Sequence, residues 1–379
     1  MKKTAGLVFA FVLMTAAVAN AAQRTFVSAV SGSDSNPCSR LSPCRSFSAA
    51  IAVTDAGGEV IVLDSGGYGA VTITQSVSLI SPLGVYAGIS GFTGAAIEVS
   101  APGGSVSLRG LFLNGQGGTT GITVTDANTT HIENVVVSGF TGNGIEVVGG
   151  SATFIKDAIV RNCAGGSGIY VGPVSGSTHM SVDGVRLDYN GYALAADSGS
   201  RLTVRNATAS FNANGFWFRN SGALTAVIAT VENATVSDTS SFQASAFLAQ
   251  AGAHVTIRSS AAVRSLGNGF SVAESTSGTE MVVDGCLASG HNYNGFLAGA
   301  AGGSGTALLT VSNSVASNNA SNGIVAGTNG TVRAFSNVVT RNQYGLNGQN
   351  GTLESFGSNV VRGNSTMETL GTITPVPTM

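Results

Sequence analysis

The feature that most constrains this chain is a turn signal that returns at near-regular intervals. It reads Asn143-Gly144, Asn190-Gly191, Asn214-Gly215, Asn268-Gly269, Asn294-Gly295 and Asn322-Gly323, with Ser167-Gly168 and Tyr344-Gly345 in equivalent places. The intervals are about 22 to 28 residues, with one of about 54 that fits two periods. Repetition on this scale points to a stack of small units rather than a globular core. Asn and Gly take positive φ most readily, so a tight positive-φ corner is expected at each pair.

Each pair is followed by an alternating apolar pattern: Gly144-Ile145-Glu146-Val147, Gly168-Ile169-Tyr170-Val171, Gly215-Phe216-Trp217-Phe218, Gly269-Phe270-Ser271-Val272. This is the period of a strand, with the middle residue pointing outward. A second motif precedes the next corner, in Ile132-Glu133-Asn134, Ile155-Lys156-Asp157, Val204-Arg205-Asn206, Val231-Glu232-Asn233 and Val311-Ser312-Asn313. Several strands per period leave no room for a helix. The expected fold is all-β: a single-domain parallel β-solenoid of about a dozen coils, ~55 Å long at ~4.8 Å per coil. The general rule for parallel crossovers makes it right-handed. Asparagines stacked from coil to coil would hydrogen-bond along the axis, which accounts for a repeated polar residue near the core.

The ends read differently. Lys2 and Lys3, an apolar run from Leu7 to Ala19 and the small-x-small Ala19-Asn20-Ala21 form a bacterial-type signal peptide, 1–22, too short for a membrane span. Residues 23–57 read as an N-terminal cap segment, with helical character over Phe47–Ala56, then the solenoid over 58–365 and a frayed tail over 366–379. The implied location is secreted or periplasmic. In that oxidising setting Cys38 and Cys44 form a small disulfide. Cys163 and Cys286 lie about five coils apart, beyond bridging distance, and are expected as buried thiols. Beyond the leader the only lysine is Lys156, and the net charge is -2, so there is no footprint for nucleic acid.

On these residues the chain resembles the pectin-lyase-like superfamily of right-handed parallel β-helix proteins. The resemblance is carried by Thr25-Phe26-Val27-Ser28, Gly32-Ser33-Asp34-Ser35-Asn36-Pro37, Gly58-Glu59-Val60-Ile61-Val62-Leu63, Gly66-Gly67-Tyr68 and the Asn-Gly-Ile coils. It implies a carbohydrate context. Polysaccharide lyases and glycoside hydrolases dominate that group, but the Asp-Asp pair and Gly-His-Gly of its hydrolases are missing here. So is the acidic calcium cluster of its lyases, and no catalytic residue carries over.

Three rows of side chains are candidates. The outward residues of the post-corner strands run Glu98, Thr123, Glu146, Tyr170, Ala193, Trp217, Leu248, Ser271, Leu297, Val325 and Asn347. There Tyr170 and Trp217, with Arg219 beside them, suit sugar stacking unless a loop covers the face. A second row holds Glu133, Lys156, Arg205, Glu232 and Arg258, either a salt-bridge ladder or, through Lys156 or Arg205, a site for uronate carboxylates. A third group combines Arg161, Asp183, Arg186 and Asp188, further along Asp238, Arg264 and Arg341, as solvated corner charges or acid–base candidates. The histidines have no ligand spacing, so no metal or other cofactor is expected, and calcium lacks a motif. The expectation is a monomeric exported β-helix that binds, and as an enzyme would cleave, a polysaccharide or cell-surface glycan, acidic glycans favoured. The alternative is a non-enzymatic structural or adhesive solenoid.

Overall fold

The computed structural model describes residues 22–242, 244–273, 278–299 and 305–377; the segment expected as a signal peptide lies, up to residue 21, outside them. The chain winds as a parallel β-solenoid with two hydrogen-bonded sheets, of 24 and 13 strands. Each coil has three faces. Tyr192–Ala196, Ser200–Arg205 and Thr208–Ser210 are one coil's first, second and third strands. The first two faces merge because strands such as Ala95–Arg109 and Thr120–Glu133 run through the corner between them. Inward residues form continuous columns, among them Phe247, Phe270 and Phe296, whose rings stack at 4.8 and 5.0 Å.

The corners differ from the sequence expectation in a physically informative way. Positive φ falls on the two residues bracketing each third-face strand, not on the Asn-Gly pairs. Asn206 (φ 52) and Phe211 (φ 57) flank Thr208–Ser210; Asn233 (φ 53) and Asp238 (φ 55) flank Thr235–Ser237. Asn134, Asp157 and Asn313, which end the motif preceding each corner, are exposed corner residues of this kind, and in the same column Asn233 donates to Asn206 from the next coil (2.7 Å), so these asparagines stack on the outside rather than near the core. The glycines of the Asn-Gly pairs are there for space. A Cβ on Gly144 would lie 2.1 Å from Val160 Cγ1, and one on Gly215 would lie 1.9 Å from the Ala246 carbonyl oxygen.

Buried polar ladders do exist, one residue past the positive-φ corners. Asn190 Nδ2 donates to Asn212 Oδ1 (3.1 Å), and Asn319, Asn342 and Asn364 continue the same column further on. Cys163 belongs to it, its N–H donating to Asn190 Oδ1, and so does His291. Cys286 sits in the parallel column at the other corner, between Ser260 and Ser314.

At the N-terminus, Cys38 and Cys44 are joined by a disulfide. The helix spans only Phe47–Ala52; Ser46 caps it by accepting the Ala49 N–H, and Phe47, Ala50 and Ile51 are buried. Thr54 already begins a strand, Thr54–Val62, so the coils start before residue 58. The tail reading is also corrected: Met367–Pro375 is a strand in parallel register with Tyr344–Ser355. Its Pro375 is tolerated because it ends an edge strand.

Candidate functional site

The first face carries the outward column expected from the sequence, with one register correction. Backbone pairing runs Glu146, Tyr170, Ala195, Trp217, Leu248, Ser271, Leu297, Val325 and Asn347. Ala195 replaces Ala193, which is fully buried. The slip arises because Asn190-Gly191 is not the equivalent of Asn214-Gly215: Tyr192 pairs with Asn214, so Tyr192-Ala193 holds that place. Asn190 instead enters the buried ladder.

This register brings to the site a residue that the sequence did not single out. Tyr192 stacks on Trp217, centroids 4.8 Å apart and planes at 16°. Arg219, two residues further along the strand, holds its Cζ 4.2 Å from the indole centroid. The indole N–H donates to Gln250 Oε1 of the next coil. The same two coils carry a second stacked pair, Tyr189 and Phe211, exposed at the preceding corner with centroids 5.3 Å apart. Bulky residues are costly at the positive φ these two adopt, by ~1–2 kcal/mol each.

Arg219 is fixed by Asp197. The guanidinium Nε donates to Asp197 Oδ2 (2.9 Å), the Ser221 hydroxyl donates to both carboxylate oxygens (2.7 Å each), and the Ser198 and Ser221 N–H groups donate to Oδ1. Burial by itself would raise the Asp197 pKa. The Ser221 and Ser198 hydrogen bonds and the Arg219 charge outweigh it and hold the carboxyl below its usual range. Asp197 is thus an anion at neutral pH that orients Arg219, not a proton donor. Tyr170 is pushed up, first by burial and then by the Asp197 charge, with Arg219 opposing, so its phenol stays protonated.

Beyond Trp217 the column opens into a groove of about 480 Å³ lined by Leu248, Ser271, Leu297, Asn268, Asn294 and Tyr293, with Ser245, Val272, Ala273 and Gly299 completing it. Asn294 and Asn322 form a carboxamide ladder along its edge, each donating to the preceding asparagine. A larger concavity at the N-terminal end, lined by Gln23, Arg24 and residues 55–59, lies far along the rod from this cluster, and its Arg24 is paired with Glu59 (2.7 Å).

The charged candidates lie on other faces. Asp183 leaves the third group and joins the second row, which pairs as Arg109, Glu133, Lys156, Asp183, Arg205, Glu232, Arg258 and Asp284, alternating in sign throughout. Arg109–Glu133 closes to 2.7 Å and Arg205–Glu232 to 3.4 Å, in the manner of an exposed ladder worth a few tenths of a kcal/mol per pair. On the third face Arg186 pairs with buried Asp188, beside Arg161 of the previous coil. Asp238 and Arg264 form a two-pronged pair (2.8 Å each), and Arg341 is another positive-φ corner residue. None of these shares a face with Trp217. Among the described residues no group of three or more His, Cys, Asp or Glu side chains could hold a metal. Cys163 and Cys286 are free and buried, and burial raises both thiols, Cys286 to about 11.

A coil of this geometry and these ladders define a right-handed parallel β-helix. Residues 112–281 match the family model described as a right handed beta helix region, in agreement with that fold. No curated protein matches the sequence. Among solved structures, the chain is similar to an alginate lyase from Paenibacillus sp. str. FPU-7 (TM-score 0.48, 17% identity, covering 89% of this chain and 100% of that one). It is also similar to the pectate lyase Pel9A (TM-score 0.36, 16% identity, 94% and 77%) and to XylC in complex with xylose (TM-score 0.42, 9% identity, 84% and 69%). Likenesses this distant assign no chemistry to this chain. Among the described residues no helix is long and apolar enough to cross a membrane.

Proposed function

We propose that this chain binds a polysaccharide along its first face, centred on Tyr170, Tyr192, Trp217 and Arg219, and that it does so as a monomer exported through the leader 1–22. The observation that carries this is the cluster itself: three aromatic side chains and a pinned guanidinium on adjacent coils, opening into a groove. Aromatic bodies with polar edges suit the apolar faces and hydroxyl rims of sugars. Tyr170, Tyr192 and Trp217 are only half-buried, so part of each ring stays open to a ligand.

Catalysis is not assigned. Lys156, Asp183 and Arg205 alternate in one ladder, Arg186 is tied to Asp188, and Asp197 is held ionised by its donors. That distribution favours the second reading, a binding or adhesive solenoid without turnover, over a lyase. Nor do the ladder cations offer the surplus charge on which the preference for acidic glycans rested.

Full-length protein titrated calorimetrically against a panel of neutral and uronic-acid polysaccharides tests the proposal. Binding to at least one glycan, weakened tenfold or more by Trp217→Ala in a variant that keeps its far-UV spectrum, is expected. Failure to bind any of them, or binding indifferent to that change, refutes it.

A further inference from the structure

Ser271 is an outward residue of the first face, yet it is only 3% exposed and its Oγ has no hydrogen-bond partner. Its two column neighbours are Leu248 and Leu297, and all three line the groove beyond Trp217. A buried hydroxyl without a partner is uncommon, because its desolvation is not offset. The groove volume, about 480 Å³, falls within the ~300–1,000 Å³ range of small-ligand sites. Among the described residues none that lines it is charged. A carboxylate entering this groove would lose its hydration with no cation among the described lining residues to replace it, whereas a neutral ring would give up only the hydration of uncharged hydroxyls, which Ser271, Asn268 and Asn294 can replace.

We infer that the groove is a specificity subsite for an uncharged pyranose residue, with Ser271 Oγ as its hydrogen-bond partner and Leu248 and Leu297 against its apolar face, and that it discriminates against uronates. This rests on the polysaccharide reading above and narrows it. The carboxamides of Asn268 and Asn294 form one wall, and Tyr293 another. Arg219, beside Trp217, is matched by Asp197 (2.9 Å), so it adds no unpaired positive charge to the approach to the groove. A hydroxyl and amides recognise hydroxyl groups, and one subsite hydrogen bond is enough to discriminate about tenfold.

The test uses the full chain, with neutral hexose oligosaccharides and oligouronates of equal length as probes, titrated at low and moderate salt. The expected result is a neutral oligosaccharide bound at least ~10-fold tighter than the uronate, with little salt dependence. Ser271→Val should weaken that binding about tenfold at unchanged Trp217 fluorescence and melting temperature. Leu297→Phe, which fills the groove and leaves the hydroxyl in place, should weaken it as well. Tighter binding of the uronate, or neutral-sugar affinity unchanged in both variants, overturns the inference and leaves the polysaccharide reading standing. Absence of binding to every glycan, neutral or acidic, removes both.

Discussion

Replacing Gly215 by alanine tests why glycine recurs after the corner asparagines. Gly215 does not have positive φ, so alanine is conformationally permitted there and would even lower the entropy of the unfolded chain, a gain of ~0.4–1 kcal/mol. Against this stands the next coil. The new Cβ would lie 1.9 Å from the Ala246 carbonyl oxygen, 2.6 Å from its carbonyl carbon and 2.8 Å from its Cα, all of them backbone atoms. Relief requires Ser245–Gln250 to retreat by more than about 1 Å, which stretches its rungs to Asn214–Arg219 beyond hydrogen-bonding distance. Two or three lost rungs at ~1 kcal/mol each, less the entropy gain, leave a net cost of ~2 kcal/mol, within the ~1–3 kcal/mol usual for overpacking. The same column tolerates Ala193 and Ala246 natively, so local coil spacing alone sets the cost. The matched control is Gly67→Ala, where the nearest atom is a carbonyl oxygen 3.9 Å away and the change should stay within ~0.5 kcal/mol. Urea unfolding followed by far-UV circular dichroism and by the fluorescence of Trp217, the single tryptophan, measures both. If Gly215→Ala loses no more than Gly67→Ala, the steric account of the corner glycines is wrong.

Two further outcomes follow from the site and the ladders. Asp197→Ala should free Arg219 from its anchor and strand buried N–H donors, lowering stability by ~1–3 kcal/mol and shifting Trp217 emission to the red; unchanged emission would show that Asp197 does not position the cluster. In the wild type, the folded Asp197 pKa lies below the reference 3.8, so its contribution is complete above that value and is lost as pH falls through the lower folded value; the emission should therefore hold from neutrality to about pH 4 and change only below it. Cys163 and Cys286, buried in ladder columns with raised thiols, should resist a thiol-titrating reagent at pH 8 in the native protein and both react once it is unfolded; fast native labelling of either would refute their structural role.

Much of the fold was legible because a solenoid is one-dimensional: a repeat of about one coil length forces equivalent residues over one another, and strand alternation then separates core from surface. The outward column from Glu146 to Asn347, the charge ladder and the burial of both free cysteines follow from that rule. Where the reading slipped, the cause was a corner whose composition mimicked its neighbour. Asn190-Gly191 has the right letters but lies two residues early, so Ala193 was assigned a place that belongs to Ala195.

The sequence by itself determined the period, the all-β coil, the disulfide-compatible cysteine pair and the faces on which charge and aromatic residues sit, because these depend only on spacing along the chain. Tertiary structure alone decided the rest: Tyr192 against Trp217, Asp197 beneath Arg219, Asp183 in the alternating ladder, and the uncharged groove around Ser271. Those are lateral contacts between coils. They depend on how many residues each corner consumes and on which side chains bend across the strand, and a one-dimensional pattern holds neither quantity.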